Sequence, residues 1–373
     1  MSVQGEGAQI SVGRIAMQKI GLIVTLLVLS GCSYHGPDAL SMTRPEYNVV
    51  IQRTNEQELL LNLVRLKYRD TPYFLSVEKV ASSVEFSRGM SASALLPASG
   101  ANSGSLSGTV MFSEKPTVFY SPLDGEKFVR KMMTPLSLDM LVLLINSGWS
   151  VERVLAVTLH EINGIKNAPT ASGPTPLREP EFREFRAALK HLRVLQVRKL
   201  VELGQLPEGA GASMELRFVP GAENDEDVRA FKRILRLNPQ GNRYKIVPGI
   251  GGVGGGDVIT FATRSLIASM NYLSQGVEAP SVDMEAGRVT RTLDQNNLPF
   301  DWQDLLSGIF RVHSSQIEPD NAAVGVGYRN AWFWIQDNDL DTKATFSLLS
   351  QLLALQGSHT PVQGTNINYS ISR

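Results

Sequence analysis

A two-residue period is the strongest constraint on this chain. From Val84 the sequence alternates. Val84, Phe86, Arg88, Met90, Ala92, Ala94 and Leu96 fall on one side, and Glu85, Ser87, Gly89, Ser91, Ser93 and Leu95 on the other. Later, Gly104, Leu106, Gly108, Val110 and Phe112 alternate with Ser103, Ser105, Ser107, Thr109 and Met111. Successive strand side chains point to opposite faces, so this pattern fits a strand and no helix. Residues 97–109 are almost entirely Pro, Ala, Ser, Gly, Asn, Leu and Thr, the composition of a turn. The region from Tyr73 to Tyr120 therefore reads as one long Gly/Ser-rich β-ribbon, with 84–112 at its heart. One side is apolar or small, the other mostly hydroxylic. Strands that cross a bilayer need about 9–11 residues of this period. One hairpin cannot close a barrel, whereas several copies can. Arg88 on the apolar side and the weakly apolar tip favour a solvated hairpin over a bilayer-crossing one.

Around the ribbon the pattern is helical. Thr43 reads as an N-cap with Pro45 in the first turn and Glu46 three residues on. Thr54-Asn-Glu-Gln57 repeats the signature before the core candidates Leu59, Leu60, Leu63, Val64 and Leu66, and Pro72 ends the helix. Helices are expected over 125–133, 137–145 and 151–162. Prolines 169, 174, 176 and 180 mark a linker. A helix follows on Phe182, Phe185, Leu189, Leu192 and Leu195, closed by Gly204. Strands are expected over 214–219, 244–247 and 258–261, the last two as a hairpin around a glycine loop. Helices are expected from Asp225 and over 264–273. Further strands fall at 309–313, 323–328 and 332–336, with Arg329-Asn330 turning the last two. A helix over 342–355, capped by Gly357, precedes a terminal strand on Ile367, Tyr369 and Ile371. The expected class is α+β, with mixed helices and antiparallel β-hairpins. The expected division is a signal at 1–31, a tether at 32–42, an N-terminal α+β domain at 43–165, a linker at 166–180 and a C-terminal α+β domain at 181–373.

Composition narrows the function. Lys+Arg and Asp+Glu are both 36, so no net charge draws the chain to nucleic acid. The one cysteine excludes a disulfide framework and a thiolate zinc site within one chain. That cysteine sits at the end of an apolar run. Lys19 precedes Ile20–Leu29, then Ser30-Gly31-Cys32-Ser33. This is secretory signal anatomy, too short for a span of roughly 20 apolar residues. Leu29-Ser30-Gly31-Cys32 resembles the bacterial lipobox, which implies acylation of Cys32 and cleavage before it. Two or three acyl chains anchor stably where one does not. Removing 1–31, with Glu6, Arg14 and Lys19, leaves a mature chain of net charge −1. Met17-Gln18-Lys19 is a natural signal start, so Met1 and Met17 both stand as initiators. In Gram-negative lipoproteins a residue other than Asp after the cysteine implies outer-membrane delivery, and here it is Ser33.

Each motif that suggests chemistry meets a plainer explanation. Gly249–Asp257 lacks the Lys-Ser/Thr of a phosphate loop and runs into a strand. Ser76 and Lys79 have the spacing of a serine–lysine pair, but that spacing works on a helix. His160-Glu161 begins a zinc-protease motif whose second ligand position is Gly164. Histidines 35, 160, 191, 313 and 359 have no ligand-like spacing. Asp337-Asn-Asp339-Leu-Asp341 starts like a calcium loop but has Thr342 and Leu348 where Gly and Glu belong, and N-capping explains the acids. Tyr328, Trp332, Phe333 and Trp334 suit a hairpin core better than a sugar or peptide platform. No catalytic residue, cofactor site or metal site is expected.

Three segments resemble a group of uncharacterised Gram-negative lipoproteins with no assigned activity. They are 53–74 (RTNEQELLLNLVRLKYRDTPYF), 263–276 (TRSLIASMNYLSQG) and 328–346 (YRNAWFWIQDNDLDTKATF). The resemblance implies envelope localisation and carries no catalytic residues. The expected role is structural or adaptor-like, in a lipid-anchored, periplasm-facing outer-membrane protein. It has a protein partner or assembles with itself, and does not bind nucleic acid. The ribbon 84–112 and the hairpin 328–336 are the working parts. The competing classes are a periplasmic hydrolase of peptidoglycan or esters and a ligand-binding lipoprotein.

Overall fold

The computed structural model describes residues 36–95, 103–205, 214–250 and 256–357. Cys32, the signal segment and the expected terminal strand lie outside these residues. The chain divides into two compact units, 1–57 and 58–373. The class is α+β, as expected, with mixed and antiparallel sheets.

The first helix, α1, spans Gly36–Lys67. It begins before Thr43, so the expected tether is helical from residue 36. Nor does Thr54 cap a second helix. Its hydroxyl donates to the carbonyls of Val50 and Ile51, both at 2.9 Å, as a Thr inside a helix does. Leu59, Leu60, Leu63, Val64 and Leu66 are all buried. The ribbon follows as β1 (Leu75–Leu95) and β2 (Ser103–Pro122), an antiparallel two-stranded sheet of its own.

Three short helices come next: α2 (Glu126–Met133), α3 (Leu138–Asn146) and α4 (Val151–Thr158). The expected helix to 162 stops four residues early, because Leu159–Ile162 forms β3, which pairs with β4 (Ile165–Lys166). The turn between them, Asn163-Gly164, has positive φ at both residues. Helix α5 (Arg183–Val197) buries Phe185, Leu189, Leu192 and Leu195. Gly204 does not close it but lies inside β5 (Val201–Gln205). After β6 (Met214–Phe218), Asp225 caps α6 (Glu226–Ile234) by accepting from the N–H groups of Asp227 and Val228.

The six-stranded sheet has the order β4-β3-β8-β7-β6-β5, where β7 is Arg243–Pro248 and β8 is Val258–Thr263. Two expectations fall here. The pair β7–β8 is parallel, with Lys245 opposite Val258 and Pro248 opposite Phe261, so these two strands are not the expected hairpin. The expected linker 166–180 also separates no domains. The sheet takes strands from both sides of it, and Ala168, Ala171 and Thr175 within it are buried. Its prolines shape a packed segment, including a 3-10 turn at Pro169–Ser172.

Ser265 caps α7 (Leu266–Ser274), and short helices α8 (Ser281–Glu285) and α9 (Gln303–Leu306) follow. The strand expected at 309–313 begins only at its last residue, as β9 (His313–Ser315). Ile309 and Phe310 instead donate back to the Leu306 carbonyl. Strands β10 (Ala322–Tyr328) and β11 (Ala331–Gln336) form the expected hairpin, and β9 joins the open side of β11. Arg329 and Asn330 have φ of 47° and 65°, the left-handed pair that a two-residue hairpin turn needs. The last helix, α10 (Leu340–Gly357), includes Gly357.

Candidate functional site

The two strands of the ribbon have 21 and 20 residues. At 3.2–3.4 Å per residue they reach roughly 65 Å. Pairing runs from Leu75 opposite Pro122 to Leu95 opposite Ser103, with one register shift, between Val77 and Lys79. Among the described residues no third strand joins them. A lone two-stranded ribbon is marginally stable in water.

The root is held in four places. Asn62, fully buried on α1, donates from Nδ2 to the Tyr73 carbonyl at 2.8 Å and accepts the Tyr73 N–H on Oδ1 at 2.9 Å. Its carboxamide thereby stands in for a neighbouring strand. Glu58 accepts the Leu75 N–H at 2.8 Å, and Leu123 N–H donates to the Phe74 carbonyl at 2.9 Å. Burial raises the Glu58 carboxyl pKa, and the Leu75 N–H opposes this. The Phe74 ring packs edge-on against Phe128 of α2, with centroids 5.7 Å apart. Asn62 is hidden in the sequence by the apolar run 59–66 around it. A lone amide in such a run was the available signal, since a buried amide must find partners.

Just before the ribbon, residues 67–70 are tied to distant parts of the chain. Tyr68 donates its hydroxyl to Asp283 at 2.5 Å, and Arg288 pairs with the same carboxylate at 2.6 Å. Asp70 accepts the Tyr328 hydroxyl and pairs with Arg329 at 2.9 Å. The bond from Tyr328, with Arg329 beside it, holds the Asp70 carboxyl below its ordinary range. The Arg329 guanidinium also lies 5.0 Å from the Tyr68 ring centre. Lys67, buried, donates to the Gln275 carbonyl at 3.2 Å, and burial lowers its pKa to about 7. The three segments 53–74, 263–276 and 328–346 thus meet at residues 67–70. The aromatics of the hairpin divide between its two faces. Phe333 is buried and lies 6.2 Å from Tyr68, whereas Trp332 and Trp334 are half-buried at the alternate positions.

No protein family, curated protein or solved structure matches the chain.

The remaining motif residues have structural partners. Asp339 accepts the Thr342 N–H at 3.0 Å as the cap of α10, and Asp337 pairs with Lys343 at 2.6 Å. His191 meets Asp227 at 2.8 Å, and His313 meets Glu278 at 3.3 Å. His35 and His359 lie outside the described residues, as do the side chains of Ser76 and Lys79. Among the described residues no three His, Cys, Asp or Glu side chains group as metal ligands.

The nearest approach to hydrolase geometry is Ser172. Its hydroxyl accepts from Arg264 Nε at 2.8 Å and lies 3.0 Å from His160 Nδ1. Arg Nε only donates, so the hydroxyl proton is left for His160. Burial, and then the Arg264 charge, hold the His160 imidazole at about 4. A general base must take up a proton in the reaction, and this imidazole resists doing so near neutral pH. Arg264 is fully buried and also donates to the carbonyls of Ala156, Val157 and Asn167. The cluster therefore ties the segment around 160–172 to α4 and β8. Neither of two surface cavities, of about 430 and 580 Å³, has Ser172 or His160 in its wall.

Proposed function

We propose that this protein is a lipid-anchored component of the bacterial outer membrane, acylated at Cys32, facing the periplasm, with a non-catalytic structural or adaptor role in an envelope assembly. The observation that carries the reading is the ribbon. It is far longer than a connection requires, it has no third strand among the described residues, and the buried Asn62 and half-buried Glu58 fix its root. A loop without a task needs no such mount, whereas a projecting sheet edge is a template for strand addition. The anchor reading rests on the apolar run that ends at Cys32. Among the described residues no helix is long and apolar enough to cross a membrane.

The test is deletion of 91–108 in the full lipoprotein. After mild detergent extraction the intact protein is expected in a complex that the deletion disperses. An intact protein that is monomeric and without a partner contradicts the role. A complex unchanged by the deletion keeps the role and removes the ribbon from it. Mass spectrometry of the mature N-terminus checks the anchor, and an unmodified Cys32 or a retained 20–31 segment refutes it.

A further inference from the structure

We infer that the ribbon's partner is a second copy of this chain, joined edge to edge through 89–95 and 103–113 so that the copies close into a ring. The inference rests on the assembly reading above and names the partner it needs.

Its ground is an asymmetry along the ribbon. Sheet edges are protected from pairing by charges, by proline and by bulges. In this ribbon all three lie on the root side of Gly89, along the first two thirds of β1 and the strand opposite it. The register shift is at Val77/Lys79, Pro116 and Pro122 are in the lower part of β2, and the charged residues are Glu78, Lys79, Glu85, Arg88, Glu114 and Lys115. From Gly89 to Ser113 there is no Asp, Glu, Lys or Arg, in a chain that is 19% charged. The described strands of that distal third contain no proline and pair without interruption, from Gly89 opposite Thr109 to Leu95 opposite Ser103. A hairpin meant to stay in water gains from charge at such edges. A charge on either edge would lose water in a continuous sheet, and this chain offers two edges of opposite direction, one on β1 and one on β2, that both omit it. The many Gly, Ala and Ser residues let neighbouring backbones approach closely.

Topology then selects the arrangement. Copies anchored to one membrane project their ribbons the same way, with β1 running outward and β2 returning. Contact of β1 with a neighbour's β1 is parallel. Contact of β1 with a neighbour's β2 is antiparallel and continues the alternation within the ribbon. That contact is head-to-tail. It leaves each copy with one free edge of the opposite kind, so addition continues until the ring closes. A closed barrel wide enough to fill with its own side chains takes about eight strands, which at two strands per copy requires at least about four copies.

The test measures the mass of the full lipoprotein in mild detergent, with the polypeptide composition of the particle. The expected result is a particle of at least about four copies, with no other polypeptide in fixed ratio. Ala92→Lys with Ser107→Lys is expected to reduce it to a single chain. Ala81→Lys with Val118→Lys, near the root, is expected to leave the mass unchanged. Deletion of 91–108 gives the same drop without relying on how the lysine variant folds. A particle that survives both distal changes overturns the inference. A single copy in fixed ratio with another protein overturns it while leaving the assembly role standing. A single chain without any partner sinks both.

Discussion

In the six-stranded sheet the strands are two to six residues long, and the inward positions Met214, Leu216, Phe218, Tyr244, Ile246, Ile259 and Phe261 are at most 2% exposed. In the ribbon, strands of 21 and 20 residues pair only with each other among the described residues. The short strands draw their stability from apolar burial, at roughly 25 cal/mol per Å². The ribbon draws its direction from a few hydrogen bonds at its root. The difference teaches that length in a strand is no measure of its support. The sheet is built from six strands within the chain, whereas the ribbon's outer edges meet no third strand among the described residues.

The largest expected effect breaks the mount. Asn62→Leu removes both bonds from the buried amide to the backbone of the exposed Tyr73, at about 0.5–1.5 kcal/mol for each. Urea unfolding should show a loss of about 1–3 kcal/mol, and limited proteolysis should cut near residue 73. An unchanged midpoint means that the root is not fixed as described.

Next comes Lys67. Its folded pKa of about 7 lies below its ordinary 10.5. Between those values the unfolded chain holds the proton and the folded chain does not, so this group makes stability rise with pH there and adds no slope below about 7. Lys67→Met should raise stability by about 1–3 kcal/mol near pH 7 and flatten the rise. Thermal midpoints across pH 6–10 read both effects, and a slope that persists in the variant contradicts the buried amine.

Asp70→Asn is expected to be smaller, about 1–2 kcal/mol. The Asp70 carboxyl is depressed, so its contribution is present above its ordinary pKa of 3.8 and is lost as the pH falls through the lower folded value. The variant should therefore show a shallower acid limb, measured by fluorescence of the nearby tryptophans. Smallest is the effect of deleting 91–108 on the remainder of the chain. The thermal midpoint of the body should move by the equivalent of less than about 0.5 kcal/mol, since the sheet does not lean on the distal ribbon. A large drop would erase the contrast.

Local patterns were legible in the sequence. The ribbon's alternation, the Arg329-Asn330 turn, the caps at Asp225 and Asp339, and the apolar stripe of α5 all rest on neighbours within a few residues. Long-range pairings were not. Nothing in the composition of 249–257 shows whether the strands on either side of it pair antiparallel or, as β7 and β8 do, in parallel. The prolines of 166–180 signal irregular backbone whether it is exposed or packed, and here Ala168 and Ala171 are buried. The bonds from Asp70 to Tyr328 and from Lys67 to Gln275 join residues more than two hundred positions apart. Arg264 looked like the start of a helix, and only the fold brings four acceptor groups and the Tyr272 ring around its guanidinium.

Amide hydrogen exchange across 89–95 and 103–113, in the full lipoprotein within its membrane, tests the central claim most directly. In a lone antiparallel ribbon every second N–H points away from the partner strand and exchanges freely. If both edges are paired, all of these amides are protected, and the deletion or lysine variants that disperse the particle restore exchange at alternate positions. Alternating fast and slow amides in the intact membrane-bound protein would contradict the account.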